Sequence, residues 1–132
     1  MSGWQDGFAQ QSRTTFAAEF ADGIVLDATA LVAPIEGREL VATVMATASS
    51  IYETLEFTDS AHAGSTSYLQ WRATAFGGME IRGVTILDRD GDGKVTSAAI
   101  HHRPLPMLLR FSAEMRNRLS GVAAAHFLGQ AP

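Results

Sequence analysis

The chemistry available to this chain starts with two adjacent histidines, His101 and His102. An imidazole with an ordinary pKa of about 6.5 can act as acid or base near neutral pH. On a strand, neighbouring side chains point to opposite faces, so this pair cannot grip one metal ion together. Asp27 and Tyr52 are further groups able to share or carry a proton. The run Asp88-x-Asp90-x-Asp92-Gly93 matches the front of a calcium loop. An EF-hand closes on a bidentate glutamate at its last position, and here that position falls on Ala99. The flanks read as strands, so a polar hairpin turn is the better reading. No metal site and no cofactor is expected. There is no cysteine, which excludes disulfides and thiolate ligands.

The elements that must position these groups centre on residues 65–103. Leu69, Trp71, Ala73 and Ala75 alternate with Gln70, Arg72 and Thr74, the period of a strand with two different faces. Gly77-Gly78 is a hairpin turn, because glycine reaches positive φ without steric cost. Residues 79–87 and 94–103 are the next two strands of an antiparallel meander. A first strand spanning about 40 Å at about 3.4 Å per residue should bend, and a bent sheet can wrap a pocket.

Before the meander, residues 6–21 read as one helix, with Phe8, Phe16 and Phe20 on a common face. Residues 24–31 are a strand: Ile24, Leu26, Ala28 and Ala30 take one side, and Val25, Asp27, Thr29 and Leu31 the other. Residues 33–37 form a loop. Residues 38–52 are a second helix, striped by Leu40, Val44 and Ala48 with Val41, Met45 and Tyr52 beside them. Residues 53–61 are a further strand. After Pro104-Leu105-Pro106, residues 107–119 are a helix carrying Leu108, Phe111, Met115 and Leu119. The alanine-rich remainder extends that helix or frays.

Bulk properties narrow the function classes. The chain has 132 residues, 46% of them hydrophobic and 18% charged, enough for one globular domain over residues 1–132. A net charge of −4 without a basic cluster argues against nucleic acid. No apolar run is long enough to cross a membrane, so no membrane partner is expected. The start of the chain lacks the basic and apolar regions of a signal peptide, which makes cytoplasmic the expected location.

Several stretches resemble the nuclear transport factor 2-like superfamily, in particular its SnoaL-like branch. They are 20–27 (Phe-Ala-Asp-Gly-Ile-Val-Leu-Asp), 34–39 (Pro-Ile-Glu-Gly-Arg-Glu), 68–74 (Tyr-Leu-Gln-Trp-Arg-Ala-Thr), 82–87 (Arg-Gly-Val-Thr-Ile-Leu), 93–95 (Gly-Lys-Val) and 102–105 (His-Arg-Pro-Leu). The resemblance runs from about residue 8 to 119. It implies an α+β fold of the cystatin-like kind, with a curved mixed sheet wrapped around helices as a cone, often assembled as a homodimer. It is specific for fold and weak for activity.

Family chemistries can be checked at matching positions. Ketosteroid isomerases use a carboxylate base and an acidic hydrogen-bond donor; an ungapped count puts these at Ala28 and Thr85, which cannot serve. Asp27 is one residue from the base position, and one residue flips the side chain to the other face. Limonene epoxide hydrolases use an Asp-Arg-Asp set; Arg72 and Arg82 are present, but Thr74 and Val84 stand where an aspartate is wanted. SnoaL-type cyclases pair an acid with a histidine, for which His62, His101, His102 and Asp27 are the raw material.

The family register turns His102 inward and His101 outward. Ile81, Gly83, Thr85 and Leu87 then face the cone, as do Ala98 and Ile100. The expected pocket is lined by Val44, Met45, Tyr52, Trp71, Thr85, Ile100 and His102, with small Gly83 and Ala98 leaving space and the first helix closing part of it. An apolar wall with a few polar groups suits a small hydrophobic molecule. Binding without assigned catalysis is one expectation. The alternative is a polyketide-cyclase-like, isomerase-like or dehydratase-like enzyme on a hydrophobic ketone or polycyclic substrate, with His102 and Asp27 or Tyr52 as acid and base. Apolar Val84 and Ile86 on the outer face point to coverage by a second copy.

Overall fold

The computed structural model describes residues 3–128. Its elements run α1 (Gly3–Gln10), α2 (Arg13–Glu19), β1 (Phe20–Ala28), β2 (Ile35–Glu36), α3 (Arg38–Ile51), β3 (Thr54–Ala63), β4 (Thr66–Ala75), β5 (Met79–Arg89), β6 (Val95–Arg103), α4 (Leu105–Arg118) and α5 (Gly121–Ala125). Six strands form one mixed sheet in the order β2-β1-β6-β5-β4-β3. Among the described residues only the β1–β6 pair is parallel. It joins the first strand to the last strand of the meander and so places Ala28 beside Ile100.

The sheet curves. Register shifts interrupt β1–β6 between Phe20 and Val25, β3–β4 between Phe57 and Asp59, and β5–β6 between Asp88 and Arg89. Each extra residue bends its strand and raises the local twist. The α3 helix fills the hollow, burying Val41, Val44, Met45 and Ala48. The α4 helix buries Met107, Leu108, Phe111 and Met115. On β4 the convex face carries the polar half of the alternation, so the strand reads buried at Leu69, Trp71, Ala73 and Ala75 and exposed at Tyr68, Gln70 and Arg72.

The single N-terminal helix expected over residues 6–21 is instead two helices and the start of a strand. The break is polar: Gln11 adopts a positive φ of 51°, and Ser12 caps α2 by accepting the N–H of Thr15 at 3.2 Å. Folding back brings Phe8 against Phe16 with ring centroids 5.2 Å apart. Trp4, read from sequence only as part of a leading segment, is wholly buried between those rings and Phe20. Phe20 itself opens β1 rather than closing a helix. The loop at 33–37 contains the short β2, whose Ile35 pairs with Leu26.

The turns follow their residue chemistry. Gly77 and Gly78 have φ of 82° and 90°, and the Glu53 carboxylate accepts both of their N–H groups at 2.9 and 2.8 Å. Asp90 organises the β5–β6 turn by accepting the N–H groups of Asp92 and Lys94 at 2.9 and 3.0 Å. After α4 the chain folds back through α5, and Phe127 makes an antiparallel bridge with Leu31. Residues 129–132 of the alanine-rich segment lie outside the described residues. Among the described residues no helix is long and apolar enough to cross a membrane.

Candidate functional site

Between α3, α4 and the concave face lies a cavity lined by Val44, Met45, Tyr52, Trp71, Thr85, Ile100 and His102 together with residues of α1, β1, β3, α4 and the C-terminal turn. Its volume is about 30 Å³, measured as space open to the centre of a water-sized sphere. That is room for about two waters. Among the described residues no carboxylate lines it. Ala28 and Thr85, the positions where ketosteroid isomerases carry their acids, both do.

The polar side of the cavity is built on one cross-strand row. Trp71 stands opposite Gly83, and Gly83 opposite His102. A Cβ on Gly83 would collide with Trp71 Cζ2 and with the His101 carbonyl oxygen. The sequence reading took Gly83 as vacant space in the pocket; the structure fills that space with the Trp71 indole. Lying across β5, the indole donates its Nε1–H to Thr85 Oγ1 at 3.1 Å.

Four rings close on one another around this row. Trp71 meets His102 at 5.7 Å in an edge-on contact, and His102 meets Phe111 at 5.3 Å. Phe111 stacks on Tyr52 at 5.4 Å, and Tyr52 returns to Trp71 at 5.8 Å. Burial pushes the Tyr52 phenol well above its usual range, so it stays protonated. Its hydroxyl has no hydrogen-bond partner among the described residues. Burial, helped by the neighbouring charge of His101, lowers His102 to about 4. His102 is therefore a neutral imidazole at physiological pH, with Nδ1 2.8 Å from Thr29 Oγ1.

Asp27 does not join this group. It is exposed on the convex side, in a surface hollow shared with Ala99 and His101. Register explains the separation, since Asp27 pairs with Ala99 whereas Ala28 pairs with Ile100. His101 is likewise exposed and turned away from His102. Of the phenylalanines of the first helical segment, Phe8 reaches the cavity; Phe16 and Phe20 belong to the core behind it.

Several lining residues were not singled out from sequence. Phe111 and Met115 were legible as the apolar stripe of α4, and their spacing could have placed them. Leu31 and Phe127 were not, because β1 ends at Ala28 and the alternation that put Leu31 outside no longer applies. Thr29 keeps the outer position that the alternation gives it, exposed in the hollow of Asp27 and His101.

No protein-family model matches the sequence, and no curated protein matches it. Solved structures do. An uncharacterised protein with a cystatin-like fold from Silicibacter pomeroyi is 17% identical, with a TM-score of 0.81 over 86% of this chain and 80% of that one. A steroid delta-isomerase from Pseudomonas aeruginosa is 20% identical, with a TM-score of 0.80 over 87% and 85%. An NTF2-like protein of unknown function from Mesorhizobium loti is 18% identical, with a TM-score of 0.69 over 76% and 85%. At these identities the likeness is one of fold. The chain has the nuclear transport factor 2-like fold, an α+β fold of the cystatin-like kind.

Proposed function

We propose that this chain is a SnoaL-like domain that binds a small hydrophobic molecule in the cone, without an assigned catalytic step. The observation that carries this is the make-up of the cavity wall: apolar side chains with three hydrogen-bonding residues, His102, Thr85 and Tyr52, among them. Its narrowness fits a ligand of few atoms, or one that displaces flexible side chains such as Met45 and Met115. Enzymatic turnover of a hydrophobic ketone has weaker support. Among the described residues the wall holds no carboxylate, and His102 has Nδ1 already engaged by Thr29.

The binding form would be a homodimer. Val84 and Ile86 lie half-buried on the convex face with exposed Tyr68 beside them, an apolar group that a second copy would cover.

A thermal-shift screen of small ketones, polycyclic ketones and hydrocarbons tests the reading. A ligand at about a hundred times its Kd adds about 2.7 kcal/mol of stability. Binding should raise Tm in the wild type and less in His102→Ala. Absence of any shift across all three classes would sink the binding function.

A further inference from the structure

Thr29 sits one residue past the end of β1, where its own N–H still donates to Ile100 O at 3.0 Å. Its Oγ1 accepts the backbone N–H of His102 at 3.0 Å. The same oxygen lies 2.8 Å from Nδ1 of the His102 ring. A threonine hydroxyl has one proton to give. With the backbone N–H already aimed at the oxygen, that proton is directed to Nδ1, which accepts it. If Nδ1 were the protonated nitrogen, the oxygen would use both lone pairs on N–H groups and exposed Thr29 would turn its proton to solvent; with Nδ1 unprotonated, that proton closes a bond to the ring instead.

A neutral imidazole carries a single proton, so the proton of His102 belongs on Nε2. Nε2 has no partner among the described residues, and the ring lines the cavity. Thr85 offers a second donor there, since its oxygen accepts from Trp71 and its own proton is left to give. We infer that Thr29 is a positioning residue that fixes His102 as an Nε2–H donor to the cavity, and that the ligand is a neutral molecule with an acceptor oxygen, of the ketone, ester or ether class. This rests on the proposed binding of a small hydrophobic molecule in the same cavity. A hydrocarbon would leave Nε2–H without a partner in a desolvated site. An amine cation would meet donors and no carboxylate.

The test has two arms. Nitrogen NMR of the ligand-free, ¹⁵N-histidine-labelled protein reads the tautomer directly. His102 should show an unprotonated Nδ1 and a protonated Nε2, with the preference weakened in Thr29→Val and restored in Thr29→Ser. An Nδ1–H tautomer in the wild type would overturn the positioning role, whatever the cavity binds. In the second arm, cyclohexanone, methylcyclohexane and cyclohexylammonium are titrated against the wild type and Thr29→Val. Cyclohexanone should bind about tenfold more tightly than the other two, a margin of about 1.4 kcal/mol, and Thr29→Val should remove that margin. Equal binding of ketone and hydrocarbon would overturn the ligand class and leave the binding function standing. Binding of none of the three would overturn the ligand class and count against the binding function itself, while the spectrum still decides the role of Thr29.

Discussion

The indole of Trp71 lies over Gly83, its direct partner across the β4–β5 register, in the space a side chain would otherwise occupy. This contact helps set the cavity wall, because the indole lying over Gly83 has its Nε1 on Thr85 and an edge-on contact with His102. Gly83→Ala should therefore be unusually costly. One of the atoms in the way is the backbone oxygen of His101, which cannot move aside as a side-chain tip could. Overpacking of this kind costs about 1–3 kcal/mol. Urea denaturation should show the midpoint falling by that amount, and a neutral Gly83→Ala would mean the indole is not held there.

Trp71→Ala removes a large buried ring that packs on Tyr52 and His102. The loss should be about 3–5 kcal/mol, as for other large aromatic truncations in a core. Trp71→Phe keeps the ring and loses the bond to Thr85, so its cost should be clearly smaller. Equal costs for the two variants would show that the hydrogen bond, rather than packing, dominates.

The neutral state of His102 makes stability depend on pH. Its folded pKa is lowered to about 4, against about 6.5 in the unfolded chain. Above the unfolded value both states are neutral and the group contributes no pH dependence. As pH falls below that value, the unfolded chain takes up a proton that the folded one refuses, and stability drops. The drop ends near pH 4, where the folded imidazole protonates too. Between pH 7 and pH 5 the wild type should lose about 2 kcal/mol more than His102→Gln. Parallel denaturation curves for the two proteins would rule out a desolvated, neutral His102.

How much of this was legible in the sequence depends on how far a strand's alternation runs. Within the meander it runs unbroken, so the period together with the family register put Trp71, Thr85, Ile100 and His102 on one side, and all four line the cavity. Past Ala28 the alternation still holds for exposed Thr29 and buried Ala30, but it fails at Leu31, which was assigned to the outer side and lines the cavity. The split of the first helix turned on Ser12, whose capping of α2 outweighed the continuity of an apolar face. The Gly83 vacancy was misread because a missing side chain looks the same in sequence whether the space stays open or a neighbour fills it. Phe127 reaches the cavity through a long-range return of the chain, for which no local pattern exists.

The acidic turn offers a simple control. Asp90 spends one carboxylate oxygen on two backbone N–H groups, and the Asp88 carboxylate accepts from Thr66 Oγ1 at 2.5 Å. Both are committed to holding a hairpin whose flanks are strands. Millimolar calcium should leave Tm unchanged. A rise reversed by chelator would mean that the turn is a cation site.

Assembly is the prediction with the widest consequence. On the convex face Arg72, Arg82 and Arg103 stand in one row across three neighbouring strands, with Gln70, Val84 and His101 in the next row and Tyr68, Ile86 and Ala99 after it. Asp27 continues that last row onto β1. Glu56 and Glu80 pair with Arg72 and Arg82, so the face runs from an ion-paired arginine row to the Tyr68, Ile86 and Ala99 row that closes on Asp27. A two-fold axis through the middle would set the arginine row of one copy, with Arg103 in it, toward Asp27 of the other and cover Val84 and Ile86 in both. A stable interface of this kind buries on the order of 1,600 Å² in total. Light scattering at micromolar concentration should give twice the monomer mass, and Val84→Glu with Ile86→Lys should return the protein to monomer with its fold intact. Rising salt should weaken the dimer, since part of the attraction is between exposed charges. A monomeric wild type at that concentration would refute the interface. A dimer that survives the double substitution would place the contact on another face.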